Sequence, residues 1–178
     1  MLFPPIVEPL DNHSLIKQTL LAKIDESPRH KQNLENEIIS ASDYTVDSNK
    51  GNPEYADLFL ASATSVLYKY FSFLNLNVNV GNIWFHQYYE GDTFGWHSHG
   101  DAAFALIYYL ELPEDGPQTQ FLIPPFNVSF TADVKEGDVI VFPAQTKHRS
   151  PPNNSTKRKT IISANLGIID VSGKPNEY

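Results

Sequence analysis

The chain has 178 residues, 41% of them hydrophobic and 12% aromatic, which suits one domain with a substantial core. It contains no cysteine, so disulfides, thiolate metal sites and a nucleophilic cysteine are excluded, and any metal ion has to be held by histidine and carboxylate. The formal charge of −8 argues against nucleic acid or an anionic membrane as the main partner. With no signal-like N-terminus and no apolar stretch near the roughly 18 residues of a membrane span, a soluble, cytoplasmic protein is expected.

In chain order, LFPPIV (residues 2–7) is an apolar run broken by two prolines, the texture of an edge strand. Residues Ser14 to Ser27 repeat apolar groups at Ile16, Leu20 and Ile24, with Ser14 as N-cap and Pro28 as stop, and predict a first helix. A second begins with Asn52 as cap and Pro53 at the first helical position; Phe59, Ala63, Val66, Tyr70 and Phe73 form its buried face. Residues 40–52, SASDYTVDSNKGN, read as a loop. From Asn82 onward the runs NIWFHQYY, FALIYYLEL, TQFLI, NVSF, GDVIVF and KTIISANLGIID read as short strands separated by turn residues. Helices first and strands afterwards mean α+β rather than alternating βαβ units. A single domain over 1–178 is expected, helical from about 10 to 75 and a sheet or barrel from about 80 to 170.

The stretch GDTFGWHSHGD, residues 91–101, carries three potential metal ligands. In a strand, residues two apart share a face, so His97 and His99 can reach one ion; Asp101 shares that phase if the strand continues through Gly100. A third ligand has to come from elsewhere. His148 is the candidate because it follows GDVIVFPAQTK, a strand closed by Pro143 and a turn. His13 and His30 lie near helix ends and are expected in solvent, while His86, directly after Phe85, is expected to be a hydrogen-bonded core or surface histidine. Further on, Arg158 and Thr160 share one strand face and can clamp a carboxylate, with Lys157 and Lys159 left to solvent.

Gly91, five residues, then His97-x-His99 resembles the first cupin motif. Gly137, five residues, Pro143 and then His148 resembles the second, although Gln145 stands where Gly is usual and the first motif's Glu is missing. The resemblance implies a double-stranded β-helix, two antiparallel sheets rolled into a jelly-roll barrel. With Arg158-x-Thr160 added, the set resembles the Fe(II)/2-oxoglutarate-dependent oxygenases. LFPPIV, YYEGDTFGWHSH, IYYLELP, VIVFPAQTKH and RKTIISAN are similar to the short 2OG-Fe(II) oxygenases of bacteria and phages, related to the prolyl 4-hydroxylase branch.

That resemblance implies Fe(II) as cofactor, with 2-oxoglutarate and O2 as cosubstrates. It implies oxidative decarboxylation to succinate coupled to hydroxylation of an unactivated C–H bond. It gives Arg158 and Thr160 the far carboxylate of 2-oxoglutarate, Tyr88 a contact to the same molecule, and Tyr108 a weaker claim to one. Trp84, Asn82 and Asn165 are candidates to line the pocket, and residues 40–52 or 113–118 to close over it. Related families carry His-x-Asp/Glu, whereas His99 stands here at the carboxylate position. Three ligand sets follow: His97, His99 and His148, favoured by the glycine-to-histidine spacing; a shift to His99-x-Asp101; or Asp101 completing the shell with one of the histidines. Two other readings stand beside this one: a three-histidine cupin metalloenzyme that does not use 2-oxoglutarate, a dioxygenase or isomerase, and a non-catalytic cupin-like binding module. A small-molecule or peptidyl substrate is expected, its identity left open by the sequence, and exposed edge strands leave room for a homodimer.

Overall fold

The computed structural model describes residues 4–44, 53–123 and 128–169. In chain order the elements are β1 (Ile6–Pro9), α1 (His13–Glu26), β2 (His30–Leu34), β3 (Glu37–Ser42), α2 (Glu54–Phe73), β4 (Asn77–Tyr88), β5 (Thr93–His97), β6 (Phe104–Glu111), β7 (Gln120–Ile123), β8 (Val128–Thr131), β9 (Asp138–Pro143), β10 (His148–Ser150) and β11 (Lys159–Ile169). Every strand pair is antiparallel, and the strands follow the order β1-β9-β6-β11-β4-β3-β5-β10-β7-β8, with β2 hydrogen-bonded to β3. The sheet curls so that its two halves face each other: the α+β jelly roll, or double-stranded β-helix, that the two histidine motifs implied. Among the described residues no helix is long and apolar enough to cross a membrane.

Strands β6 and β9, the second half of β4 and most of β11 are buried on both faces, because each face meets its own core. Outward, Phe85, Leu106, Tyr108, Val141 and Ile162 pack against the helices through Leu20, Ile24, Tyr55, Phe59 and Ala63. Inward, Tyr88, Ile107, Tyr109, Ile140, Phe142 and Ile161 pack with Ile39 and Phe121 from the opposite half. This division into an outer and an inner face decides where every candidate residue points.

The helices fall close to where the periodicity put them. α1 starts at His13, one residue before the expected cap, and Asn12 holds the N-cap position without a side-chain cap bond. α2 starts at Glu54 behind Pro53; the expected cap Asn52 lies outside the described residues. Phe59, Ala63, Val66 and Tyr70 are buried as expected, but Phe73 is 85% exposed and Phe71 takes the core position, its ring 5.1 Å from Phe104. Phe73 is the last residue of α2, where the helix ends at Leu74.

The segment before α2 departs further from expectation. Residues 30–42 form the β2–β3 hairpin, so residues 40–42 of the expected loop are strand, and residues 45–52 lie outside the described residues. The hairpin turn is tied to β5 by Gly95 N–H donating to Asn36 O at 2.8 Å. The buried carboxylate of Asp92 accepts from Ser40 N at 2.8 Å and Tyr89 N at 2.9 Å, joining β3 to the β4–β5 turn. Gly91 and Gly137, which open the two motifs, have φ of 85° and 92°, the left-handed region that favours glycine.

Candidate functional site

β5 ends on His97, His99 follows two residues later, and β10 begins with His148; the β5–β10 register sets His97 opposite His148. One nitrogen from each of the three rings lies within 4.8 Å of the other two. The loop that carries His99 is fixed by His99 N–H donating to Ala144 O at 2.9 Å. Gln145, standing where the cupin motif has glycine, donates from Nε2 to Gly100 O at 3.0 Å.

Each ring has a hydrogen-bond partner at Nδ1: Gly95 O at 2.8 Å for His97, Asn165 Oδ1 at 2.5 Å for His99 and Thr146 O at 2.9 Å for His148. Those oxygens only accept, so Nδ1 carries the proton in all three rings and Nε2 keeps the free lone pair. Outer partners of this kind orient the histidines of metal sites. Burial also holds the imidazoles neutral. His97 is pushed down to about 4, His99 lies below its ordinary value, and His148 lies well below it, with neighbouring histidines adding to the effect on His97 and His148. Three neutral nitrogen donors sharing one point, with positions left open, fit Fe(II), Mn(II), Ni(II) or Zn(II). Asp101 is exposed at the rim and is outside this cluster.

The cluster stands where a mouth cavity of about 520 Å³ meets a narrow inner chamber of about 30 Å³; Trp84, His86, Phe94, His97 and His99 line both. Tyr88, Thr119, His148 and Ser150 line the chamber. Beside Tyr88 lies Lys159, fully buried. Its Nζ donates to Pro117 O at 2.8 Å and Ser150 Oγ at 2.9 Å, and sits 5.1 Å from the Tyr88 ring centroid and 5.8 Å from that of Tyr109. Among the described residues no carboxylate pairs with it, and burial pushes its ammonium down to about 7. A buried cation with neutral partners lacks a counter-charge, which a ligand carboxylate would supply.

Arg158 and Thr160 are not brought to this chamber. They do clamp a carboxylate, but it is the chain's own: Arg158 donates to Glu111 from Nε at 2.7 Å and Nη2 at 3.1 Å, and Thr160 Oγ1 donates to Glu111 as well. The strand phase is one residue away from the expected one. Lys159 pairs in register with inward Tyr88, so Lys159, Ile161 and Ser163 face in while Arg158 and Thr160 face out. Lys159, expected in solvent, is therefore the inward cation. The same parity corrects Tyr108, which stacks on Phe59 at 5.1 Å and hydrogen-bonds His13 Nδ1 at 2.7 Å on the helix side. His13 is accordingly half-buried rather than solvated. His86, expected to be a hydrogen-bonded core or surface histidine, is buried and accepts from Trp84 Nε1, and it lines both cavities.

Of the two expected lids, residues 113–118 meet Lys159 through Pro117 O and do not line the mouth, whereas Tyr44, the last described residue before 45–52, does. Trp84, Asn82 and Asn165 line the mouth as expected. Because Arg158 and Glu111 form a partly buried structural pair, Glu111→Gln is expected to destabilise the fold by about 1–3 kcal/mol. Urea unfolding reads that loss.

No protein-family model matches the chain, and no curated protein matches it either. Solved structures do. A 2OG-Fe(II) oxygenase family oxidoreductase from Burkholderia pseudomallei aligns with a TM-score of 0.72 at 14% identity, over 91% of this chain and 84% of that one. A Pseudomonas putida prolyl-4-hydroxylase aligns with a TM-score of 0.65 at 16% identity, over 91% of both chains. The viral collagen prolyl hydroxylase of Paramecium Bursaria Chlorella virus-1, solved as a 2OG complex, aligns with a TM-score of 0.59 at 15% identity, over 91% of this chain and 94% of that one. At such identities the likeness establishes the jelly-roll fold.

Proposed function

We propose that the protein is a non-haem Fe(II)- and 2-oxoglutarate-dependent oxygenase that hydroxylates an unactivated C–H bond of a small-molecule or peptidyl substrate. The observation that carries this reading is one chamber lined by the three converging imidazoles and by Tyr88 and Ser150, with the buried, carboxylate-free ammonium of Lys159 hydrogen-bonded to Ser150 Oγ and set beside the Tyr88 ring. His97, His99 and His148 hold the metal; Lys159, with Ser150 and Tyr88 beside it, takes the far carboxylate of 2-oxoglutarate. When bound, iron and cosubstrate supply the O2 chemistry, with decarboxylation of 2-oxoglutarate to succinate. The chain's own residues orient and enclose: Ile107, Ile161 and Phe94 keep the chamber walls apolar, and the mouth presents Tyr44, Trp84, Asn82 and Glu37 to the substrate. The fold shared with prolyl hydroxylases and with a 2OG-complexed structure supports the reading.

Succinate formation from 2-oxoglutarate under air tests it. We expect turnover that requires Fe(II) and is lost in His148→Ala. Iron binding without succinate in the presence of any candidate substrate, and without 2-oxoglutarate binding, would favour the three-histidine metalloenzyme instead.

A further inference from the structure

His86 is 2% exposed and its Nδ1 has no hydrogen-bond partner. Its Nε2 is occupied, because the indole Nε1 of Trp84, which can only donate, points at it from 3.0 Å. A neutral imidazole that accepts at Nε2 carries its proton at Nδ1, so the unpartnered atom is an N–H donor. For the same reason His86 offers no Nε2 lone pair to a metal, although it stands among the three histidines that do. A buried donor without an acceptor costs free energy comparable to a lost hydrogen bond, and in a native site it calls for an explanation.

The position of the ring supplies one. Along the inward face of β4, Tyr88 is opposite Lys159, His86 is opposite Ile161 and Trp84 is opposite Ser163. His86 is thus one inward step from the lysine. On its other side Phe94 contacts it at 5.6 Å between ring centroids and stacks on His97 at 4.0 Å. His86 lines the same chamber as His97, His99 and His148 on one side and as Tyr88 and Ser150, which meet Lys159, on the other.

We propose that His86 Nδ1–H donates a hydrogen bond to an oxygen at the oxo-acid end of 2-oxoglutarate, and that Trp84 acts as a positioning residue by holding His86 in the required tautomer. The inference rests on the cosubstrate reading given above. It makes His86 a selector for ligands with an acceptor at that point, in addition to the two ends already assigned.

Two substitutions separate the donor from the shape of the ring. His86→Asn keeps an amide N–H near the place of Nδ1, whereas His86→Leu keeps much of the volume and has no donor. With Mn(II)-loaded protein and calorimetry, His86→Leu is expected to bind 2-oxoglutarate roughly 10- to 100-fold more weakly, as for a lost hydrogen bond to a charged group. His86→Asn should recover most of that, and Mn(II) affinity should be unchanged in both. A second readout covers poor folding of a variant: in histidine-labelled wild type, long-range nitrogen–proton correlation should show the Nδ1–H tautomer at His86 and a shift of that nitrogen on adding 2-oxoglutarate. If wild type binds 2-oxoglutarate but His86→Leu binds it equally well, or the His86 nitrogen does not move, the inference is wrong while the function stands. If wild type binds no 2-oxoglutarate, the functional reading itself has failed.

Discussion

Lys159→Met is expected to weaken cosubstrate binding by roughly two to more than three orders of magnitude while making the ligand-free protein more stable. The ammonium is fully buried with two neutral oxygen partners and no counter-charge among the described residues, so it costs free energy until a carboxylate arrives. Methionine keeps the aliphatic stem and removes that cost, so the urea midpoint of the apo protein should rise. The cosubstrate loses its buried charge partner, and removing one member of such a pair costs about 3–5 kcal/mol, or roughly 10²- to 4 × 10³-fold in Kd. The pH dependence follows with its sign. Burial holds Lys159 at about 7 in the free protein, and a bound carboxylate favours the charged form and raises that value. Below about 7 the lysine is already charged and affinity is flat. Above it, binding has to take up a proton, so Kd should rise about tenfold per pH unit until the pKa of the complex is reached. Calorimetry across pH 6 to 9 should show that slope in wild type and none in Lys159→Met. A wild-type affinity independent of pH would remove Lys159 from the role given to it.

The second large effect concerns the metal. His148→Ala leaves two of three nitrogen donors on a site whose third position is 3% exposed, and Fe(II) affinity should fall by more than the ~10- to 100-fold associated with losing an outer partner. Asn165→Ala provides the graded comparison. His97 and His148 rest their Nδ1 on backbone carbonyls, which no substitution at the acceptor residue removes. His99 rests on a side chain, the Asn165 amide oxygen. Its loss should weaken iron by ~10- to 100-fold and leave the fold intact. Anaerobic Fe(II) titration with a competing chelator checks both, and equal affinity in Asn165→Ala and wild type would show that His99 is not a ligand.

The histidine cluster was legible in the sequence because its signal is local. Two glycines at fixed distances from His97 and His148 mark left-handed turns at the heads of strands, and the two motifs come together as a β5–β10 pair. His99 and not Asp101 is gathered with His97 and His148: Gly100 and Asp101 lie in a turn, which breaks the alternation that would have carried Asp101 to the cluster. The phase of β11 differs by one residue from the expectation: Lys159, not Arg158 and Thr160, faces inward. In KRKTIISANL both faces of the strand are buried, so no apolar–polar alternation fixes the phase. FALIYYLE fails in the same way at Tyr108 and Tyr109. β4 holds the clue that was missed: Trp84, His86 and Tyr88, with Asn82 before them, recur at every second position as the polar-tipped face, and pairing to that strand puts Lys159, Ser163 and Asn165 on the same side. The β2–β3 hairpin was missed because its first strand, HKQNL, is mostly exposed and has no apolar pattern to read.

The most direct test of the central claim is anaerobic titration of Fe(II)-loaded wild type with 2-oxoglutarate, followed by the weak metal-to-ligand charge-transfer absorption in the visible, with Lys159→Met and Arg158→Ala in parallel. We predict the band in wild type at low 2-oxoglutarate, the same band at nearly the same concentration in Arg158→Ala, and none at matched concentrations in Lys159→Met. A band that survives Lys159→Met and disappears with Arg158→Ala would return the cosubstrate carboxylate to the outer face and contradict this account of the chamber.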